Sequence, residues 1–337
     1  MGGGQPRAVH RAVLVAVGVG LTIGACTAAT VPSQRPAREP GIDLDPSAVR
    51  EIVEDVAGAT ASRFGAHDDR GHEMDTVKVL QVSDGRFVGL YHAGDAVTLD
   101  VHLATSTDLI DWTWQITLAQ RASMPTITPA SDGGYVVAWE QEPDNHLRFA
   151  LYPTDADLLA GRAARTFDAP QTLSDCAEGT PNLYAASSTY LDVGFHFYDD
   201  CDVDRQARGT GDWSSWTAAP RPGLEDAVRA NGVRAGVGDR DVIIADGTEL
   251  TLIEGMKIRD QWPTWRIYLH DASTGRAERL AIRTPAGSTA FTNPTISPVT
   301  IDGRPALFMS LFVPHEANPD EEAGALIYYR TYDPAPD

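Results

Sequence analysis

The chain has 337 residues, with 47 aspartates and glutamates against 27 lysines and arginines, for a formal charge of −20. So acidic a polypeptide is repelled by phosphate backbones and by anionic lipid headgroups. That excludes nucleic acid as a partner and excludes electrostatic adsorption to a membrane.

Residues 1–25 read as a removable leader. Arg7, His10 and Arg11 make a basic start, and residues 12–24 form an apolar run too short to span a bilayer. The run ends Ile23-Gly24-Ala25-Cys26. Small residues before a cysteine at this place resemble a bacterial lipoprotein signal, with Cys26 as the residue that carries the palmitate-type lipid and becomes the new N-terminus. The resemblance implies export and anchoring to the outer face of the cell membrane; an ordinary secretory leader with an incidental cysteine is the alternative. Residues 26–43, with Pro32, Pro36 and Pro40, read as a tether. Residues 44–66 hold a short helix. Asp45-Pro46-Ser47 opens it, Val49, Ile52, Val53 and Val56 share one face, and Gly58 and Gly65 weaken and end it. This helix is expected to pack on the domain that follows and to carry no chemistry.

Residues 67–337 read as one all-β domain. In 97–104 apolar and polar residues alternate as in a half-buried strand. A turn follows, Ser106-Thr107-Asp108-Leu109-Ile110-Asp111-Trp112. Its hydroxyl and carboxylate can bond the turn backbone while the Trp packs back on the sheet. The turn returns as Thr210-Gly211-Asp212-Trp213-Ser214-Ser215-Trp216 and, degraded, as Asp155-Ala156-Asp157-Leu158-Leu159-Ala160-Gly161. A second element recurs as Met124-Pro125-Thr126, Thr180-Pro181-Asn182 and Asn293-Pro294-Thr295, each before an apolar strand. These prolines fit a period of about 56 residues, with units lacking the proline near residues 70 and 237. Five units of three to four short strands predict a five-bladed β-propeller.

Once Cys26 is assigned to lipid, Cys176 and Cys201 remain. An even pair in an exported protein suggests a disulfide. Cys176 precedes the first strand of the third blade and Cys201 lies in that blade's second loop, so both fall on one face of the propeller.

The repeat resembles the five-bladed propeller glycoside hydrolases of family 43 and its relatives. The residues that carry the resemblance are the Ser106–Trp112 turn and the three proline-marked strand starts. It implies a base Asp at the start of blade 1, a second Asp at blade 2 and an acid Glu at blade 3, two of which flank a scissile glycosidic bond. On this chain the positions offer Asp75 as base and Glu178 as acid, while blade 2 offers Arg121, Ser123 and Met124 and no Asp. Asn182 and Asn293 would orient sugar hydroxyls. The second loops of the blades open on the same face and bring His92, Glu140 and Glu254 with the aromatics Trp139 and Tyr198. Such a rim suits sugar hydroxyls or a calcium ion, although no cofactor is required. The expected partner is a carbohydrate, and the expected state is a monomer. Hydrolysis of that carbohydrate and a non-catalytic glycan- or protein-binding role stay open together. A sialidase-like role, drawing on Arg121, Arg229 and Arg234, is a further alternative.

Overall fold

The computed structural model describes residues 41–95 and 98–333. The leader, most of the expected tether and Cys26 lie outside the described residues. Five four-stranded antiparallel sheets make up the domain. Blade 1 is β2 (Asp75–Gln81), β3 (Phe87–Gly94), β4 (Leu99–Ser106) and β5 (Thr113–Ala119). Blade 2 is β6 (Ala122–Pro129), β7 (Tyr135–Gln141), β8 (His146–Tyr152) and β9 (Arg165–Asp168). Blade 3 is β10 (Glu178–Ser187), β11 (Tyr190–Asp199), β12 (Val203–Gly211) and β13 (Trp216–Pro220). Blade 4 is β14 (Arg240–Ala245), β15 (Thr248–Met256), β16 (Trp265–Asp271) and β17 (Arg276–Arg279). Blade 5 is β18 (Thr292–Ile301), β19 (Arg304–Val313) and β20 (Gly324–Thr331), with β1 (Ala61–Arg63) as its outer strand. The inner strands β2, β6, β10, β14 and β18 contact one another in a closed ring, which is the expected five-bladed propeller.

Two boundaries differ from the sequence reading. Ala61–Arg63 pairs with Tyr329, Tyr328 and Ile327, so the propeller starts before residue 67. An N-terminal strand that completes the last blade joins the two ends of the ring and removes an open edge. Ile42 is bonded to blade 4 through Ile42 N–H to the Ile244 carbonyl at 2.8 Å, so the tether ends before it.

The repeated turn behaves as its residue types require. Ser106 Oγ accepts from the N–H groups of Asp108 and Leu109, and Asp108 Oδ1 accepts from Ile110 and Asp111 N–H at 2.9 and 2.8 Å. Trp112 then lies over Gly89, where a Cβ would meet its ring at 2.8 Å, and Trp216 covers Gly209 in the same way. In the degraded copy a short helix, Asp155–Leu159, replaces the Trp turn.

Helix α1 (Pro46–Glu54) is capped by Asp45, which accepts from Ser47 and Ala48 N–H at 2.8 and 2.9 Å. At nine residues it is too short to be stable alone. Val49, Ile52, Val53 and Val56 are buried among residues of blades 4 and 5. Each such side chain contributes about 1.5–3 kcal/mol on leaving water. A further helix, Pro222–Arg229, buries Leu224 and Val228 against Ile253 and Tyr268 of blade 4. Among the described residues no helix is long and apolar enough to cross a membrane.

The axis is filled at mid-depth by charge. Lys78 Nζ donates to Asp241 Oδ2 at 2.6 Å and to the Ile296 carbonyl at 2.7 Å, and Asn182 Nδ2 donates to Asp241 Oδ1 at 2.8 Å. These contacts join blades 1, 3, 4 and 5. Cys176 and Cys201 are bonded, with Cα atoms 5.6 Å apart.

Candidate active site at the axial mouth

The site is built by a repeated backbone distortion. Thr76, Met124, Thr180 and Asn293 hold left-handed φ angles of 54°, 51°, 47° and 51°. Beside each of them the pairing of the inner strand with its neighbour shifts register. A non-glycine residue in this region costs about 1–3 kcal/mol, so four such residues at equivalent positions mark a constrained part of the fold. Just before these residues stand Asp75, Ser123, Gly179 and Thr292. They face His92, Glu140, His196 and Phe312 on the second strands. Glu254 holds the corresponding place on blade 4, where its N–H donates to the Asp239 carbonyl at 3.0 Å.

The outcome is a cavity of about 460 Å³ whose polar wall includes Asp75, His92, Glu140, Glu254 and Asn293. Its apolar wall is Trp262, Trp265 and Phe312. Asp75 is held from several sides. Asn293 Nδ2 donates to its Oδ2 at 2.9 Å, Thr76 N–H donates to its Oδ1 at 2.7 Å, and His92 Nε2 lies 3.3 Å from Oδ2. Met124 N–H donates to His92 Nδ1 at 3.2 Å, which leaves the imidazole hydrogen on Nε2, directed at Asp75.

Two further carboxyls in the cavity are set up differently. Glu140 accepts from Thr180 N–H at 3.3 Å, and burial raises its pKa above the usual carboxylate range. Glu254 accepts from Asn293 N–H at 2.7 Å, and burial pushes its pKa up to about 8. Asp239 lines the narrow axial cleft below. It too is raised, first by burial and then by the nearby Glu254 and Glu140 carboxyls. A carboxyl held by several donors beside carboxyls whose pKa values are raised above the usual range is an acid–base arrangement.

The residues expected at the site divide. Asp75, His92, Glu140 and Asn293 line the cavity together. Glu178 does not. It is 1% exposed, and its Oε1 accepts from Thr172 and Leu173 N–H at 2.6 and 2.5 Å and from Ser174 N–H at 3.3 Å. Glu178 pairs with Phe197 while Gly179 pairs with His196, and adjacent strand residues point to opposite faces. The same alternation separates Trp139 from Glu140. Trp139 is buried in the core between blades 1 and 2, where its Nε1–H donates to Gln141 Oε1 at 2.9 Å. Asn182 is occupied by Asp241 deeper in the axis. Tyr198 stacks edge-on against His196 outside the cavity lining.

Among the described residues no three His, Cys, Asp or Glu side chains are grouped to hold a metal ion. None of Arg121, Arg229 and Arg234 lines the cavity; Arg121 pairs with Glu142 at 2.8 Å. A sialidase-like cluster of arginines is therefore not assembled there.

Sequence reasoning missed Trp262, Trp265 and Phe312. The signal was present as Trp262-Pro263-Thr264-Trp265, two tryptophans flanking a proline in a second loop on the cavity face. Phe312 had a weaker one, its place opposite the strand start that carries Asn293.

No protein-family model matches the sequence, and no curated protein matches it. Solved structures do. A protein described as a glycoside hydrolase is 13% identical, with a TM-score of 0.55 over 86% of this chain and 97% of that one. A thermostable family-43 glycoside hydrolase is 10% identical, with a TM-score of 0.52 over 83% and 96%. An exo-1,5-alpha-L-arabinanase from a bovine ruminal metagenomic library is 12% identical, with a TM-score of 0.50 over 77% and 93%. At these identities the similarity establishes that the chain shares the five-bladed fold of those glycoside hydrolases.

Proposed function

We propose that the axial cavity binds a carbohydrate and hydrolyses a glycosidic bond, with Asp75 as base and Glu140 as acid. The observation that carries this is the pairing in one cavity of Asp75, fixed by Asn293 and Thr76, with the half-buried Glu140, whose pKa is raised. Asp75 Oδ2 takes the proton of the attacking water, and Glu140 gives its proton to the departing glycosidic oxygen. Trp262, 44% exposed, and Trp265 offer flat apolar faces to a sugar ring. The fold shared with glycoside hydrolases supports the reading. Binding without turnover is the second reading. It is favoured by Glu178 being occupied by the 172–174 backbone and by the absence of a carboxylate at Ser123 and Met124.

Calorimetric titration with a panel of mono- and oligosaccharides tests the binding step. A saturable signal that weakens about tenfold or more in Trp262→Ala is expected, the scale of one stacked aromatic platform. Binding unchanged by Trp262→Ala, Asn293→Ala and Asp75→Asn alike contradicts the assignment of the cavity.

We infer also that the chain is exported and anchored to the outer face of a bacterial membrane through Cys26. The basic and apolar leader supports this, and a disulfide in the domain agrees with an oxidising compartment. Metabolic labelling with a palmitate analogue tests it. Label is expected on the parent and lost in Cys26→Ser, and equal labelling of both overturns it.

A further inference from the structure

Among the described residues three large apolar side chains stand exposed: Ile258, Trp262 and Tyr198, at 51%, 44% and 36%. All three lie on the face where the cavity opens. Tyr198 is near the end of β11, at the second loop of blade 3, and Ile258 and Trp262 are in the second loop of blade 4, between β15 and β16. These two loops are joined. Arg259 Nη1 donates to Asp202 Oδ1 at 2.7 Å, and its Nη2 donates to the Asp202 carbonyl at 2.9 Å. Burial and then the Asp204 and Glu140 charges raise the Tyr198 pKa, while Arg259 opposes the rise. The phenol thus stands within electrostatic reach of both a cavity carboxyl and the loop that carries Ile258.

Both loops are tied through their backbones, and their apolar side chains are left in water. Tyr198 N–H donates to the Ala177 carbonyl at 3.1 Å, the Tyr198 carbonyl accepts from Ser174 Oγ at 2.7 Å, and the Cys176–Cys201 bond closes the same region. In blade 4, Thr264 Oγ1 donates to the Gln261 carbonyl at 2.8 Å and accepts from Ile258 N–H at 3.2 Å, which closes the loop around Trp262. Apolar surface held in water is stabilised when a ligand covers it, and side chains on a fixed backbone lose less freedom on binding.

Trp262 belongs to the cavity lining as well as to the exposed set, so one ligand can run from the cavity over Trp262 onto the rim. Three side chains fall far short of the roughly 20–30 residues that each side of a stable protein interface contributes. They suffice as a platform for a sugar ring, whose carbon-bound hydrogens present an apolar face to an aromatic one.

We infer that Tyr198 and Ile258 form a second sugar-binding platform outside the cavity, so that the ligand is an oligosaccharide whose chain passes from Asp75 and Glu140 over Trp262 onto the rim of blades 3 and 4. This rests on the carbohydrate reading of the cavity and extends it along the chain of the ligand. A monosaccharide reaches the cavity alone, and a longer chain uses both places.

The test is calorimetric titration of the purified full-length protein with four pairs that differ in length: xylose and xylotetraose, glucose and cellotetraose, galactose and galactotetraose, arabinose and arabinotetraose. In at least one pair the tetrasaccharide is expected to bind about tenfold tighter or more, the scale of one aromatic contact. Tyr198→Ala and Ile258→Ser are each expected to lower the tetrasaccharide's affinity about threefold or more while the monosaccharide binds as it does to the parent. Tyr198→Phe keeps the flat face and is expected to keep the gain. Equal affinities within every pair overturn the inference and leave the carbohydrate reading standing. A gain that survives both Tyr198→Ala and Ile258→Ser overturns it too. Absence of binding by every sugar overturns both readings. Light scattering that finds a dimer in the parent and a monomer in Ile258→Ser assigns the rim to a second copy of the chain and also overturns the inference. The length comparison uses the parent protein, so it stands even where a variant does not fold.

Discussion

The Glu140 carboxylate occupies the space that a side chain at Gly179 would need; a Cβ there would run into Oε2. A carboxyl is thus delivered to the start of blade 3 from the second strand of blade 2, while Glu178, one residue away, faces elsewhere. Gly179→Ala is expected to displace Glu140. It should cost about 1–3 kcal/mol, as overpacking does, and weaken sugar binding. Urea unfolding and titration of the variant check both, and an unaltered affinity contradicts the packing account.

Stability should fall as pH rises above neutrality. The folded pKa of Glu254 is about 8, whereas an unfolded glutamate sits near 4.3. Between those values the folded state holds more protons than the unfolded one, so raising pH favours unfolding. The stabilisation is complete below the unfolded pKa and is lost as pH passes the folded one. Glu140 and Asp239 act in the same direction. His196, depressed to about 4 by burial and Arg240, acts oppositely but only below its unfolded value near 6.5. Denaturant midpoints from about pH 6.5 to 8 should therefore decline, by up to about 1.4 kcal/mol per pH unit for each excess proton. Glu254→Gln should flatten the slope. A flat or rising profile in the parent contradicts the assignment.

The buried Lys78–Asp241 pair joins blades 1 and 4 across the axis. Lys78→Met leaves Asp241 charged and buried, which should cost about 3–5 kcal/mol. Adding Asp241→Asn keeps an acceptor for Asn182 and removes the unpaired charge, so the double variant should be more stable than Lys78→Met. Equilibrium unfolding of the three proteins gives the comparison. A double variant no better than the single one contradicts the view that stranded charge is the main cost.

The Cys176–Cys201 bond closes 25 residues of chain. In the chain-entropy account such a loop is worth about 3.5 kcal/mol. It also ties the start of blade 3 to its second loop, beside the 172–174 backbone that binds Glu178. Cys176→Ala/Cys201→Ala should lower the unfolding midpoint by a matching amount, and thiol titration of the unreduced protein should find neither of these two cysteines free. Two reactive thiols at these positions would contradict the bond.

Much of the scaffold was legible because its signals are local. A hydroxyl, a carboxylate and a tryptophan at the spacing of Ser106, Asp108 and Trp112 specify a turn by their own hydrogen bonds. Their recurrence, with the proline-marked strand starts, counted the blades. Asp75, His92, Glu140 and Asn293 were legible because strand starts and second loops share a face. What failed depended on register. The bulges at Thr76, Met124, Thr180 and Asn293 decide which of two adjacent residues faces the axis, so Glu178 and Trp139 were assigned to the wrong face. Tyr198 was assigned to the right strand but lies outside the cavity lining. Asn182 failed by depth: it is buried in the axis and already engaged by Asp241. β1 carried no pattern of its own, because three residues become a strand only against β20. Trp262 sits in a loop, and Trp265 at the strand start it leads into, with a sequence that no other blade repeats.

Kinetics on a panel of aryl glycosides, comparing the parent with Asp75→Asn, Glu140→Gln and Glu178→Gln, test the central claim. The account predicts turnover by the parent on at least one member. It predicts a fall of about 10²–10⁴ in kcat for Asp75→Asn and for Glu140→Gln. It predicts activity retained in Glu178→Gln wherever that variant folds. Turnover that survives both Asp75→Asn and Glu140→Gln, or that is lost in a folded Glu178→Gln alone, contradicts the account.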